Sequence, residues 1–426
     1  MGHTIHSTPV YERLQQRLDR NVTGAPDSPT LIQILRILFS VEDAELAASI
    51  PTRPTSIERL AERVGMAPDA LDDKISNMAR RGLVVDLYHD DRRFVALAPV
   101  VIGFFEFTFM RTRDDLPMKR LAELFEQYFY ESDRFGHSVF QGQTQIGRSL
   151  VHEKTLPEDD HVEILDWERA SHIVTSASAH AVSLCACRHK ASHLGHACDQ
   201  PLETCLTLND AAVSMARNGI ARSIDVGEAM SLLEQCRSNG LAQTGDNVQR
   251  DVSYICNCCG CCCGMMQAIR TLGIKNAIVT SNWIAEIDSA NCKGCARCVE
   301  ACPAGAITMA AAPGANKKNL LARRDEDLCL GCGVCHAACK NNALSMAPRA
   351  QRVYTPETMF DRYAAMAIER GKLAELIFGD SDGFSHLAMA RILGALERST
   401  PARAVMAIEP LKSVFLSRIV QAARSS

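Results

Sequence analysis

No run in this chain of 426 residues approaches the roughly 18 apolar residues that a membrane-crossing helix needs, which argues against an integral membrane protein. The N-terminus has no basic start followed by an apolar run, so no export signal is expected. There is no surplus of positive charge: 46 Lys and Arg face 50 Asp and Glu, for a formal net charge of −4. That balance argues against a general affinity for nucleic acid or anionic membrane. No Gly-rich strand-to-helix turn marks a dinucleotide site, because Gly260 and Gly264 belong to a cysteine run. No paired catalytic carboxylates or nucleophile–base signature stand out, and nothing points to flavin, nicotinamide or a small-molecule substrate.

Cysteine is what the chain has in abundance, 19 in all. Clustered CxxC words in a long chain indicate metal and a reducing compartment rather than a disulfide scaffold, so a cytoplasmic protein is expected. Two copies of one word stand out: Cys292-Lys-Gly-Cys295-Ala-Arg-Cys298-Val-Glu-Ala-Cys302-Pro303 and Cys329-Leu-Gly-Cys332-Gly-Val-Cys335-His-Ala-Ala-Cys339-Lys340. Three thiolates at steps of three wrap one face of a cubic iron–sulfur cluster, and the fourth cysteine reaches the other cube. Cys292, Cys295, Cys298 and Cys339 would then hold one [4Fe–4S] cluster, and Cys329, Cys332, Cys335 and Cys302 the second. The stretch from about Asn291 to Met346 resembles the bacterial two-cluster ferredoxins, and a shift of 37 residues lays its first half on its second. The resemblance implies two pseudo-symmetric halves. Lys340 stands where the ferredoxin pattern has proline, a change confined to local geometry because proline is no ligand. Two competing readings exist. Zinc sites pair one CxxC with a second, distant pair. Cys332-Gly-Val-Cys335-His336 also fits a c-type haem attachment word, which would leave Cys329 and Cys339 without purpose.

A second cysteine-rich stretch lies upstream. Cys185, Cys187, Cys198 and Cys205 precede Cys256, Cys258, Cys259, Cys261, Cys262 and Cys263. The first four, with Cys256, Cys258, Cys259, Cys261 and Cys262 as a pool, are candidate ligands for one or two additional iron–sulfur clusters; a zinc site or redox-active thiols are the alternatives. Adjacent cysteines point in different directions, so Cys261, Cys262 and Cys263 are not expected to grip one cube together. His189, His193 and His196 share a helical face, either as cluster ligands or as a hydrogen-bonding surface, and Arg188 is placed to donate to cluster sulfur. Cys236 reads as a buried structural thiol.

The expected architecture is α+β and multi-domain. Residues 28–100 show helix, helix, helix, helix and a hairpin, and resemble the winged-helix domains of bacterial regulators. From Glu58 to Arg93 there are seven basic and eight acidic side chains, which favours protein contact or a structural role over DNA. Residues 101–165 form a helical connector with Met118–Tyr130 as its main helix; its apolar start, Val100 to Met110, suits a buried connector, a subunit contact or a membrane surface. Residues 166–285 form a mostly helical cysteine-rich domain, with helices over Asn209–Gly219 and Val226–Gly240. Residues 286–348 form the ferredoxin-type dicluster domain, and 353–426 a helical C-terminal region with helices over Pro356–Phe378, Phe384–Leu396 and part of 401–424. Electron transfer between a redox donor and an acceptor, by a non-catalytic subunit, is the expected function. A redox-sensing regulator and an iron–sulfur enzyme with an open iron in the middle domain are the alternatives.

Overall fold

The computed structural model describes residues 4–51, 53–156, 165–311 and 320–378. The N-terminal unit begins earlier than residue 28, with α1 (Thr4–Asp19). Then come α2 (Pro29–Leu38), α3 (Val41–Ser49), β1 (Thr55–Ser56), α4 (Ile57–Val64), α5 (Pro68–Arg81), β2 (Val84–His89) and β3 (Arg92–Leu97). Ser28, Ser40 and Ser56 cap the starts of α2, α3 and α4 through their hydroxyls, and Gly65 and Gly82 end α4 and α5 in the left-handed region. β2 and β3 are joined at Asp90-Asp91, both with positive φ, as a tight hairpin turn requires.

The connector adds α6 (Phe105–Phe109), α7 (Met118–Tyr130) and α8 (Arg134–Phe140). Phe104, Phe105, Phe109, Phe125 and Phe129 are buried and in mutual ring contact, so the apolar start of the connector is core of this chain. α8 adds a short helix after the main one of the connector.

The middle region departs from its mostly helical expectation. It contains β4 (Gly147–Ser149), α9 (Ala170–Ser176), β5 (His180–Leu184), α10 (Ala186–His193), β6 (Glu203–Leu208), α11 (Asn209–Arg217), β7 (Arg222–Ile224), α12 (Val226–Ser238), β8 (Ala242–Asp246), β9 (Tyr254–Cys258) and α13 (Gly264–Arg270). The strands form one six-stranded antiparallel sheet in the order β4-β8-β9-β6-β5-β7. Strand side chains alternate between faces. Leu206, Leu208 and Ile255 pack with Ile173, Val174, Ala229 and Leu233 of α9 and α12, which leaves Cys205, Cys256 and Cys258 on the opposite face.

The last part contains β10 (Trp283–Ile287), α14 (Arg297–Ala301), β11 (Ile307–Ala311), β12 (Leu320–Arg324), α15 (Val334–Ala338) and β13 (Leu344–Pro348). The 37-residue shift maps β10 onto β12, α14 onto α15 and β11 onto β13. The strands pair across the repeat: β10 with β13 and β11 with β12. After it, α16 (Met359–Glu369) and α17 (Leu373–Phe378) replace the single helix expected over Pro356–Phe378, because Gly371 turns left-handed between them. The helices expected over Phe384–Leu396 and within 401–424 lie outside the described residues.

The parts are tied by buried polar contacts. Asp86 on β2, 1% exposed, accepts hydrogen bonds from Arg93 Nη2 at 2.7 Å, Asn218 Nδ2 at 2.8 Å and Ser214 Oγ at 3.1 Å, and pairs with Arg217. This joins the hairpin to α11. Arg362 of α16 forms a buried ion pair with Asp246 at the end of β8 and donates to Ile146 O at 3.0 Å.

Candidate metal centres

The tandem cysteine words fold around two separate cavities of about 20 Å³ each. Cys302, Cys329, Cys332 and Cys335 line the first; Cys292, Cys295, Cys298 and Cys339 line the second. The last cysteine of each word therefore sits with the first three of the other. In each word the residue before the second cysteine is glycine, and both Gly294 (φ +68°) and Gly331 (φ +67°) are left-handed. A Cβ at Gly331 would collide with Trp283 O, and one at Gly294 with Leu320 O, so the strand that begins each half is pressed against a ligand loop. The next left-handed pair, Ala296 and Gly333, starts α14 and α15 and turns Cys298 and Cys335 inward.

The two cavities differ in exposure. Cys302, Cys329, Cys332 and Cys335 are all buried, whereas Cys295 is exposed and Cys292 and Cys339 half-buried. Burial pushes the Cys332 thiol up to about 12 and raises Cys335 and Cys302 as well. Thiols held this way become thiolates only beside a strong positive charge, which a metal centre supplies. Backbone donors already point at the sulfurs: Ala306 N lies 3.2 Å from Cys302 Sγ. Asn341 Nδ2 lies 3.8 Å from Cys295 Sγ. The residues present fit two cubic clusters.

The middle cysteines divide into two groups. Cys198, Cys259, Cys261 and Cys262 place their Sγ atoms within 4.8 Å of one another. Cys198 is 3.7 Å from Cys259 and 3.9 Å from Cys262, and Cys261 is 3.7 Å from Cys262. A tetrahedral ion with metal–sulfur bonds of about 2.3 Å separates its thiolates by about 3.8 Å, so this group can hold one metal ion. A hydrogen bond from the Cys262 thiol holds Cys259 well below the usual thiol range. The neighbours Cys261 and Cys262 share this site, while Cys263 at the start of α13 turns away, as expected for three successive cysteines.

The second group comprises Cys185, Cys187, Cys205, Cys256 and Cys258 from the candidate pool, with Cys263, which the pool omits; Cys259 of the first group also reaches its wall. They line a third cavity, described below. The sign of Cys263 in the sequence is its place as the third of three successive cysteines, which cannot all face one site. Cys236 is buried in α12, where burial pushes its thiol up to about 11. Of the three histidines, His189 is buried with Nδ1 2.7 Å from Phe109 O, His193 stacks 4.8 Å from it, and His196 lies past the end of α10. His189 and His193 form a packing and hydrogen-bonding face, and His196, exposed beyond the helix, does not share it. Arg188 is fully buried and donates to Pro201 O at 3.0 Å, Asn257 O at 3.2 Å and Thr204 Oγ1.

The metal sites adjoin. Gly260, between Cys259 and Cys261, lies against the chain just after Cys302: a Cβ there would come within 2.7 Å of Pro303 O. Cys258, Cys263, Cys332 and Leu330 belong to one apolar cluster, so the middle sheet and the tandem module share a core. No described helix is long and apolar enough to cross a membrane. Searches of curated proteins and of solved structures find no match to the chain. Residues 291–343 match the family of 4Fe-4S dicluster domains, and with both four-cysteine cavities inside or touching that span, this part of the chain is a 4Fe-4S dicluster domain within a larger protein.

Proposed function

We propose that the protein is an electron-transfer subunit that relays single electrons between redox partners in the cytoplasm. A cube with all four irons on cysteine exchanges one electron at a time and leaves no iron free for substrate. Cys292, Cys295, Cys298 and Cys339 are assigned to one cube, and Cys302, Cys329, Cys332 and Cys335 to the other. The observation that carries this reading is the grouping of eight thiols into two equal cavities, one buried and one reaching the surface at Cys295. The surface set suits exchange with an external protein. The buried set, beside Gly260, suits exchange with the middle domain. Cys198, Cys259, Cys261 and Cys262 are assigned a single tetrahedral ion, zinc or iron by their ligand chemistry, which pins the cysteine run against Pro303.

The N-terminal unit is assigned as a winged-helix-like module with a structural or protein-docking role. Three of its cations are already engaged: Arg81 with Asp43, Arg92 with Glu58, and Arg93 with Asp72 and Asp86. Phosphate neutralisation needs free cations. The order of its helices and hairpin supports a second reading, a redox-sensing regulator. A gel-shift assay with oxidised and reduced holoprotein separates them: tight, sequence-specific and redox-dependent binding would replace the relay with the regulator.

The relay is tested on protein purified without oxygen and reconstituted with iron and sulfide. The expected result is reversible one-electron reduction of two interacting centres by electron paramagnetic resonance, lost in Cys298→Ser and Cys335→Ser. A colourless preparation without paramagnetic signals on reduction overturns it.

A further inference from the structure

The third cavity measures about 120 Å³, roughly six times the volume of either dicluster cavity. Beside Cys259, which also belongs to the Cys198 group, six thiols line it from four pieces of chain. Cys185 precedes α10 and Cys187 lies in its first turn; Cys205 is on β6; Cys256 and Cys258 share one face of β9; Cys263 precedes α13. The remaining wall is largely apolar, with Phe105, Met110 and Phe129, and carries the cation of Arg188 and the carboxyl of Glu106.

Three observations indicate what this chamber takes. First, six thiols exceed the four that one ion accepts. Second, among the described residues only the Cys198 group brings three or more ligand atoms within 4.8 Å of one another. The cavity thiols meet only in pairs, along the series Cys205, Cys256, Cys258, Cys263 and Cys187, so they do not converge on one ion. Third, the wall is held in a costly conformation. Ile102, which lines the cavity, adopts φ 50° and ψ 50°, an uncommon state for a β-branched residue, and Glu106 fixes the adjoining turn by accepting from Gly103 N at 3.0 Å.

We infer that Cys185, Cys187, Cys205, Cys256, Cys258 and Cys263 hold a further polynuclear iron–sulfur centre, beside the single-ion site at Cys198, whose Cys259 stands in the wall between them. The inference rests on the reading of the chain as an iron–sulfur protein. The dicluster halves give the scale: a cavity of about 20 Å³ with four thiols suits one cube, so six thiols around about 120 Å³ suit a centre at least as large, with space left beside it.

The test counts iron and acid-labile sulfide in the full chain, purified and reconstituted without oxygen, as wild type and as two double variants. In Cys198→Ser/Cys261→Ser, which leaves the cavity intact, the expected iron is about twelve atoms or more, by the four-iron stoichiometry of the dicluster cubes. In Cys187→Ser/Cys263→Ser the expected result is a fall of about four irons or more from wild type, with a matching fall in sulfide. Either variant decides alone if the other does not fold. A surplus of less than four irons over the dicluster pair in the first, or unchanged iron in the second, overturns the inference, as does loss of zinc without sulfide. The paramagnetic signal of the reduced dicluster pair is read in the same samples. Its absence marks failure of the relay rather than of the third centre.

Discussion

The sulfur atoms of Cys198 and Cys259 lie 3.7 Å apart although 61 residues separate them in the chain. That contact closes the loop after α10 onto the cysteine run after β9. Cys198→Ala is expected to remove about one metal ion per chain, because three thiolates leave the tetrahedral site open. Dicluster iron should stay unchanged. Elemental analysis of wild type and variant reads both quantities; loss of about four irons instead would show that this group holds a cube.

Gly331 is left-handed and its α-carbon faces Trp283 O. Gly331→Ala adds a carbon where none fits and displaces the loop between Cys329 and Cys332. The expected outcome is loss of about four of the dicluster irons, with the Cys295 centre retained. Gly371→Ala is the control: Gly371 is also left-handed, but no atom lies within 4 Å of an added carbon. Iron counts with spectra of the reduced protein distinguish the two.

Asp86 anchors the hairpin to α11. Asp86→Ala leaves Arg93 buried with Asp72 as its remaining carboxylate partner, and breaking a buried pair costs about 3–5 kcal/mol. A lowered melting temperature and earlier proteolytic cleavage between hairpin and sheet are expected. Burial alone would raise the Asp86 carboxyl, but Arg217 and Arg93 more than offset that and hold it below its usual value. Such a group stabilises the fold fully above its unfolded value of about 4, and the contribution is lost as pH falls through the folded value. Asp86→Asn should therefore remove part of the stability loss seen below about pH 4 in acid denaturation.

Asn341 supplies an amide donor to Cys295 Sγ. Donors to cluster sulfur favour the reduced, more negative state, so Asn341→Leu is expected to lower the potential of the surface centre. A loss of roughly 0.5–1.4 kcal/mol corresponds to about 20–60 mV for one electron. Potentiometric titration measures it. An unchanged potential would mean that the contact does not operate in the loaded protein.

Much of this arrangement can be read from the residues in order. Pro68 and Gly82 bracket α5, and Met118–Tyr130 carries Leu121, Leu124, Phe125 and Tyr128 inward at helical spacing. The tandem words are equally legible because their ligands lie close together in the chain. The middle sheet is not. Its strands are short, β8 is buried along its whole length, and β9 has cysteine where an apolar–polar alternation would otherwise show. A strand without alternation gives no period to find. The split of the middle cysteines is hidden for a related reason. It depends on which face of β6 and β9 each thiol occupies and on the turn that separates Cys262 from Cys263, and both are set by packing between distant segments.

The exchange of strands in the tandem module carries a consequence for how it can be divided. Neither half owns a complete hydrogen-bonded ribbon, since each borrows one strand from the other, and neither supplies a full set of four sulfurs to either cavity. Cutting between the repeats would not yield two simpler carriers; it would leave two fragments each short of a backbone partner and a ligand. The duplication is a mutual dependence, and the smallest working piece is the pair.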